Sequence, residues 1–78
     1  MPTLLIAQGL RFFFFSNEGN EPPHVHVEQG DAVAKFWLAP VHLDYAHRMK
    51  PQVVKRARIL TEQHAIEFLE KWREHFGA

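Results

Sequence analysis

The residues best suited to chemistry sit in one short run, Glu21-Pro22-Pro23-His24-Val25-His26-Val27-Glu28. Alternation along a strand sends His24, His26 and Glu28 to one face and Val25 and Val27 to the other. Histidines two residues apart on a strand stand about 6.5 to 7 Å apart, so both imidazoles can reach one divalent metal or one phosphate. With Glu28 the row has the make-up of a two-histidine, one-carboxylate metal set, and metal: His24, His26, Glu28 is the ligand reading it supports. The row is also similar to the first cupin motif, but the cupin glutamate lies farther on and a cupin barrel needs more strands than 78 residues supply. An ordinary strand face accounts for the same residues, with His24 stacked on Trp37, His26 solvated and Glu28 a surface acid. Lys35 falls opposite His26 in the register derived below. A neighbouring ammonium disfavours a second positive charge, which would leave that histidine free to act as base or ligand.

The elements that must position this row follow from turn residues and periodicity. Pro22 and Pro23 hold the approach to His24 extended and stiff. A type II′ turn at Gly30-Asp31 joins His24–Glu28 to Val33–Leu38. It pairs Val27 with Ala34 and Val25 with Phe36 on one face, and Glu28 with Val33, His26 with Lys35 and His24 with Trp37 on the other. Upstream, Thr3–Ala7 and Leu10–Phe15 read as a hairpin around Gln8-Gly9, its second strand carrying four consecutive phenylalanines. Downstream, Pro40 ends a strand and Val41–Asp44 is a further edge strand. From Pro51 to the Gly77 C-cap, Val53, Ala57, Leu60, His64, Phe68, Trp72 and Phe76 recur at helical spacing. A straight helix of that length would run about 39 Å, longer than so small a sheet, which calls for a break near Thr61. The expected fold is α+β: a small antiparallel sheet of about four strands with a C-terminal helix, kinked or split in two, packed on one face. That helix covers the Val25, Val27, Ala34 and Phe36 face, which places His64 on the opposite side of the sheet from His24 and His26.

Length implies a single domain, 1–78, whose one core is small enough for a partner to add usefully to it. With no cysteine there is neither a disulfide nor a thiolate zinc site. The apolar run Leu4–Ala7 is too short for a signal peptide and nothing approaches membrane-spanning length, so the expectation is a cytoplasmic protein that meets no membrane. The formal charge is zero, yet five of the nine basic residues, Arg48, Lys50, Lys55, Arg56 and Arg58, lie between His47 and Arg58 with no acid among them. An RNA backbone or an acidic partner would suit such a segment, and so would a solvated helix face. Nucleophilic catalysis finds no support, because Ser16 is the only serine and no phosphate or dinucleotide glycine pattern is present. Histidine, lysine and arginine can still do acid–base work on a 2′-hydroxyl.

Arg11-Phe-Phe-Phe-Phe-Ser-Asn-Glu-Gly19, Glu21-Pro-Pro-His-Val-His-Val27, Ala34-Lys-Phe-Trp-Leu38, and His64 eight residues before Trp72 together resemble the bacterial domain-of-unknown-function 4160 family. The resemblance spans nearly the whole chain and implies a compact α+β domain. It also implies a setting beside a second small domain, in the manner of toxin–antitoxin pairs. Where many members carry Asp-His, this chain has Glu18-Gly19.

Three functions stand as expectations. The first is a protein-interaction module, as a homodimer or with a small partner protein encoded nearby. The second is an RNA-acting or hydrolytic enzyme built on the histidine row, and the third a histidine/carboxylate domain holding a divalent metal. The interaction reading points to the sheet face away from the helix, where Phe13, Phe15, Val33 and Trp37 gather.

Overall fold

The protein is described from a computed structural model, covering residues 3–77. Five strands form an antiparallel meander in chain order: β1 (Thr3–Ala7), β2 (Leu10–Phe13), β3 (His24–Gln29), β4 (Ala32–Leu38) and β5 (Val41–His47). Two helices follow, α1 (Pro51–Gln63) and α2 (Ala65–Phe76). The fold is α+β, with five strands where about four were expected. The fifth strand is β5, the edge strand expected over Val41–Asp44, which runs on to His47.

Turn chemistry sets the strand ends. Gln8 and Gly9 both have positive φ, 53° and 77°, as a type I′ hairpin requires. Gly30 has φ of 60° at the first central position of the β3–β4 turn, the position a type II′ turn reserves for glycine. Pairing across that turn follows the alternation, with His24 opposite Trp37, Val25 opposite Phe36, His26 opposite Lys35 and Val27 opposite Ala34. The Ala39–Pro40 peptide is cis and turns β4 into β5. Both outer strands are irregular, β1 between Thr3 and Leu5, and β5 where Asp44 is the extra residue opposite the Lys35–Phe36 step.

One face of the sheet is covered. Leu10, Phe12, Val25, Val27, Ala34, Phe36 and Leu38 pack there against Ala57 and Leu60 of α1 and Phe68 of α2. The helical break falls at His64, not Thr61. Thr61 is fully buried and gives its hydroxyl proton to the Ala57 carbonyl at 2.8 Å, so it sits inside α1. His64 takes φ −110° and ψ 12°, ending α1 and starting α2. The break lets the chain lay a second apolar stripe, Phe68 and Trp72, back over a body only 34 Å in its longest extent. Gly77, with φ of 72°, caps α2 in the left-handed conformation. Among the described residues, no helix is long and apolar enough to cross a membrane.

Strand β2 stops at Phe13, two residues earlier than alternation alone suggests. Phe14 leaves the ladder and buries itself against Trp72, His75 and Phe76 of α2, with ring centroids 5.2 to 5.3 Å away. That departure starts the loop of residues 14–23, which folds over the helix-free face.

Candidate functional site

The loop is pinned at several points before it presents any chemistry. Its backbone passes so close to α2 that a methyl group added at Gly19 would come within 2.5 Å of the Phe76 ring. The Glu21 amide donates to the Glu18 carbonyl at 3.1 Å, and the Phe15 amide donates to the Glu18 carboxylate at 2.8 Å. Leu38 donates to the Pro23 carbonyl at 3.1 Å, which carries the β3–β4 ladder back to the proline pair. Glu18 is thereby turned inward, over the start of β3.

There it meets both histidines. His26 Nε2 donates to Glu18 Oε2 at 2.8 Å, with Oε1 at 3.0 Å. His26 also stacks on Phe13 and takes the edge of Phe15, at centroid distances of 5.5 and 5.0 Å. His24 is fully buried, between Trp72 at 4.9 Å, His26 at 5.1 Å and Trp37 at 5.5 Å. Its Nδ1 donates to the Pro22 carbonyl at 3.0 Å. Its Nε2 lies 3.0 Å from Glu18 Oε2 but out of line for a hydrogen bond, and has no hydrogen-bond partner among the described residues. Glu18, His24 and His26 each offer a ligand atom, all within 4.8 Å of one another. Burial pushes the Glu18 carboxyl up, yet the bonds from His26 and the Phe15 amide, with His24 beside them, outweigh it and hold the group below its ordinary value.

A family model for a domain of unknown function, DUF4160, matches residues 9–73, which takes in every residue of this cluster. The chain belongs to the DUF4160 family. No curated protein and no solved structure matches it.

Two members of the expected row of this DUF4160 domain stand where the register puts them but bond other side chains. Glu28 shares the histidines' face but pairs with Arg11 on β2, which also bonds Thr3 at 3.0 Å and lies 4.4 Å over the Phe13 ring. Its carboxylate is therefore committed to a guanidinium, and Glu18 takes the place beside the histidines. Lys35 does pair across from His26, but its ammonium bonds Glu21 at 2.8 Å, lies 3.5 Å from Asp44 and covers the Trp37 ring at 4.3 Å. Burial pushes its pKa down, and the Glu21 bond together with the charges of Glu21 and Asp44 outweighs that and holds it above the ordinary value. The Glu21 carboxyl is held low in turn, first by its bond to Lys35.

His64 stands apart from the cluster, bonding Glu67 at 3.1 Å and stacking on Phe68. The helix does reach His24 by another residue, because Trp72 extends past the end of the sheet where β2 stops and β3 begins. The five clustered cations do not all share one face: Lys55 and Arg58, three residues apart on α1, do, while Arg56 does not. Arg48 lies 3.4 Å from Asp31, and Lys50 precedes α1. Lys55, Arg56 and Arg58 are exposed along α1, and at 100° per residue Arg56 and Arg58 project about 160° apart. Of the aromatic face, Phe13 is buried by the chain's own loop, Val33 and Trp37 are half-buried, and Phe15 stays exposed. A cleft of about 290 Å³ opens beside Trp37, lined also by Pro22, Pro23, Ala39 and His42.

Glu18 is the residue that pattern reading passed over. It lies in a polar loop without periodicity, and its only local signal is a carboxylate near a glycine that packs on an aromatic ring 57 positions later in the chain.

Proposed function

We propose that this domain is a protein-interaction module that docks a small, separately encoded protein, in the manner of one half of a toxin–antitoxin pair in the cytoplasm. The observation that carries the reading is the helix-free face of the sheet. Ile6, Tyr45 and Phe15 are exposed there at 71%, 45% and 41%, around the Arg11–Glu28 and Lys35–Glu21 ion pairs. Aromatic and arginine side chains are enriched in interfaces, and a non-obligate interface is as a whole no more apolar than the rest of a protein surface, whereas homodimer interfaces are more apolar. Irregularities in both outer strands also disfavour extension of the sheet by a second copy. The cleft between Pro22, Trp37 and His42 is sized for one anchoring side chain of the partner.

An enzymatic role for the histidine row draws less support. His24 is fully buried and His26 nearly so, which leaves a substrate no approach to either imidazole. An RNA role draws less still, because Arg48 lies against Asp31 and Arg56 projects away from the face that Lys55 and Arg58 share.

Co-expression with the product of the adjacent reading frame tests the proposal. The wild type is expected to retain that product through affinity purification, and Tyr45→Glu or Ile6→Asp to lose it while melting as the wild type does. A wild type that sediments alone at all concentrations and retains no neighbour would sink the reading.

A further inference from the structure

The environment of His24 is not satisfied by the groups around it. A carbonyl oxygen can only accept, so the bond to Pro22 fixes the ring hydrogen on Nδ1 and leaves Nε2 as the lone-pair nitrogen of the neutral ring. The nearest polar atom to that lone pair is Glu18 Oε2 at 3.0 Å, itself an acceptor. A buried acceptor facing a carboxylate is costly, and a native structure rarely leaves such an atom unpaired. A second proton on the ring would answer the charge but not the direction, since Oε2 lies out of line with Nε2. An ion bonded to the nitrogen and to the carboxylate at once would answer both.

From this geometry we infer that Glu18, His24 and His26 form the binding site of a divalent first-row transition metal. The donor atoms already lie within 4.8 Å of one another. Ligands of one tetrahedral ion at about 2.0–2.2 Å stand about 3.4 Å apart. The Glu18 contacts, at 2.8 and 3.0 Å, therefore need to open by about half an ångström and the two imidazole nitrogens, farther apart within the 4.8 Å spread, to draw together, with Glu18 on the loop, the part of the site most able to move. Two imidazoles and one carboxylate suit zinc, cobalt, nickel or ferrous iron; calcium and magnesium prefer oxygen throughout. The Pro22 carbonyl acts as the outer-shell partner that fixes the His24 ring and its tautomer. Three protein ligands leave a further coordination position for a small molecule such as water.

The site would do for this chain what a disulfide does for others. Its loop is joined to the sheet by few backbone bonds, the core is small and there is no cysteine, the situation in which small domains recruit a metal. The proposal does not rest on the docking face, since none of the three ligands is among the exposed residues Ile6, Tyr45 and Phe15 that carry that reading.

The test is titration of the metal-free chain with zinc(II), followed by calorimetry, with cobalt(II) absorption as the geometric readout. One equivalent should bind, the cobalt spectrum should be that of a four- or five-coordinate ion, and the melting temperature should rise with zinc. Glu18→Gln, a loop substitution that leaves the core intact, should weaken zinc binding by at least roughly tenfold, since even loss of an outer-shell partner costs that much. Glu28→Gln should bind as the wild type does. Because His24→Ala opens a buried cavity, His24→Gln serves as the second ligand variant, and its fold is checked by circular dichroism. No binding to the folded wild type, binding indifferent to Glu18→Gln, or an octahedral cobalt spectrum unchanged by both ligand variants would overturn the inference.

Discussion

A single carboxylate separates the expected cluster from the one the structure brings together. Strand alternation put Glu28 on the right face, and so it is, but alternation says nothing about which neighbour claims a side chain. Arg11 claims Glu28, and Glu18 arrives from the loop. The histidine row itself was legible because period two is a property of any strand, whereas Glu18 depends on where a non-repeating loop lands. Gly19 is the residue whose size lets it land there. Gly19→Ala should lower stability by about 1–3 kcal/mol through overpacking against Phe76, measured by urea unfolding. Lys35 makes a complementary prediction about pH. The Glu21 carboxyl is held below its ordinary 4.5, so its contribution is present above that pH and is lost as the pH falls through the lowered value. Lys35 is held above its ordinary 10.5, so its contribution is complete below that pH and is lost as the pH rises through the raised value. The stability deficit of Lys35→Met relative to wild type should therefore be flat between about pH 5 and pH 10 and shrink on acidification below that window, as chemical denaturation across pH would show.

Among the elements, the β3–β4 hairpin was fully legible, since a glycine at the turn and matched apolar pairs leave only one register that buries valine. Strand β2 was legible in place but not in length. Four phenylalanines look like continued strand, and only the presence of α2 beyond the end of the sheet explains why Phe14 turns away from the ladder. The helical break was foreseen from length, while its position was not, because Thr61 and His64 are equally unremarkable to helical periodicity. Tertiary packing decides between them: a break at Thr61 would move Leu60 and Phe68 out of the common core. Phe68 is the element-scale test. Fully buried and 5.6 Å from the Phe12 ring, it joins α2 to the sheet. Phe68→Ala should cost about 3–5 kcal/mol, a large part of the total for so small a domain, and should show as a lowered denaturation midpoint.

At the scale of the molecule, the helices and the loop grip the sheet from opposite faces and meet at its end, around the start of β3. The two tryptophans of the chain, Trp37 and Trp72, both stand there, with ring centroids 5.5 and 4.9 Å from the same imidazole. All the indole emission of this protein thus originates beside His24. Its intrinsic fluorescence is an optical reporter of one address, with no distant tryptophan to dilute the signal. Trp37→Phe and Trp72→Phe should each leave a single emitter that still responds to a change in the charge at His24. Cobalt(II) should quench both, and Glu18→Gln should abolish the quenching, as steady-state emission would record. An event at the far edge of β1 or along α1, by contrast, should pass without colour.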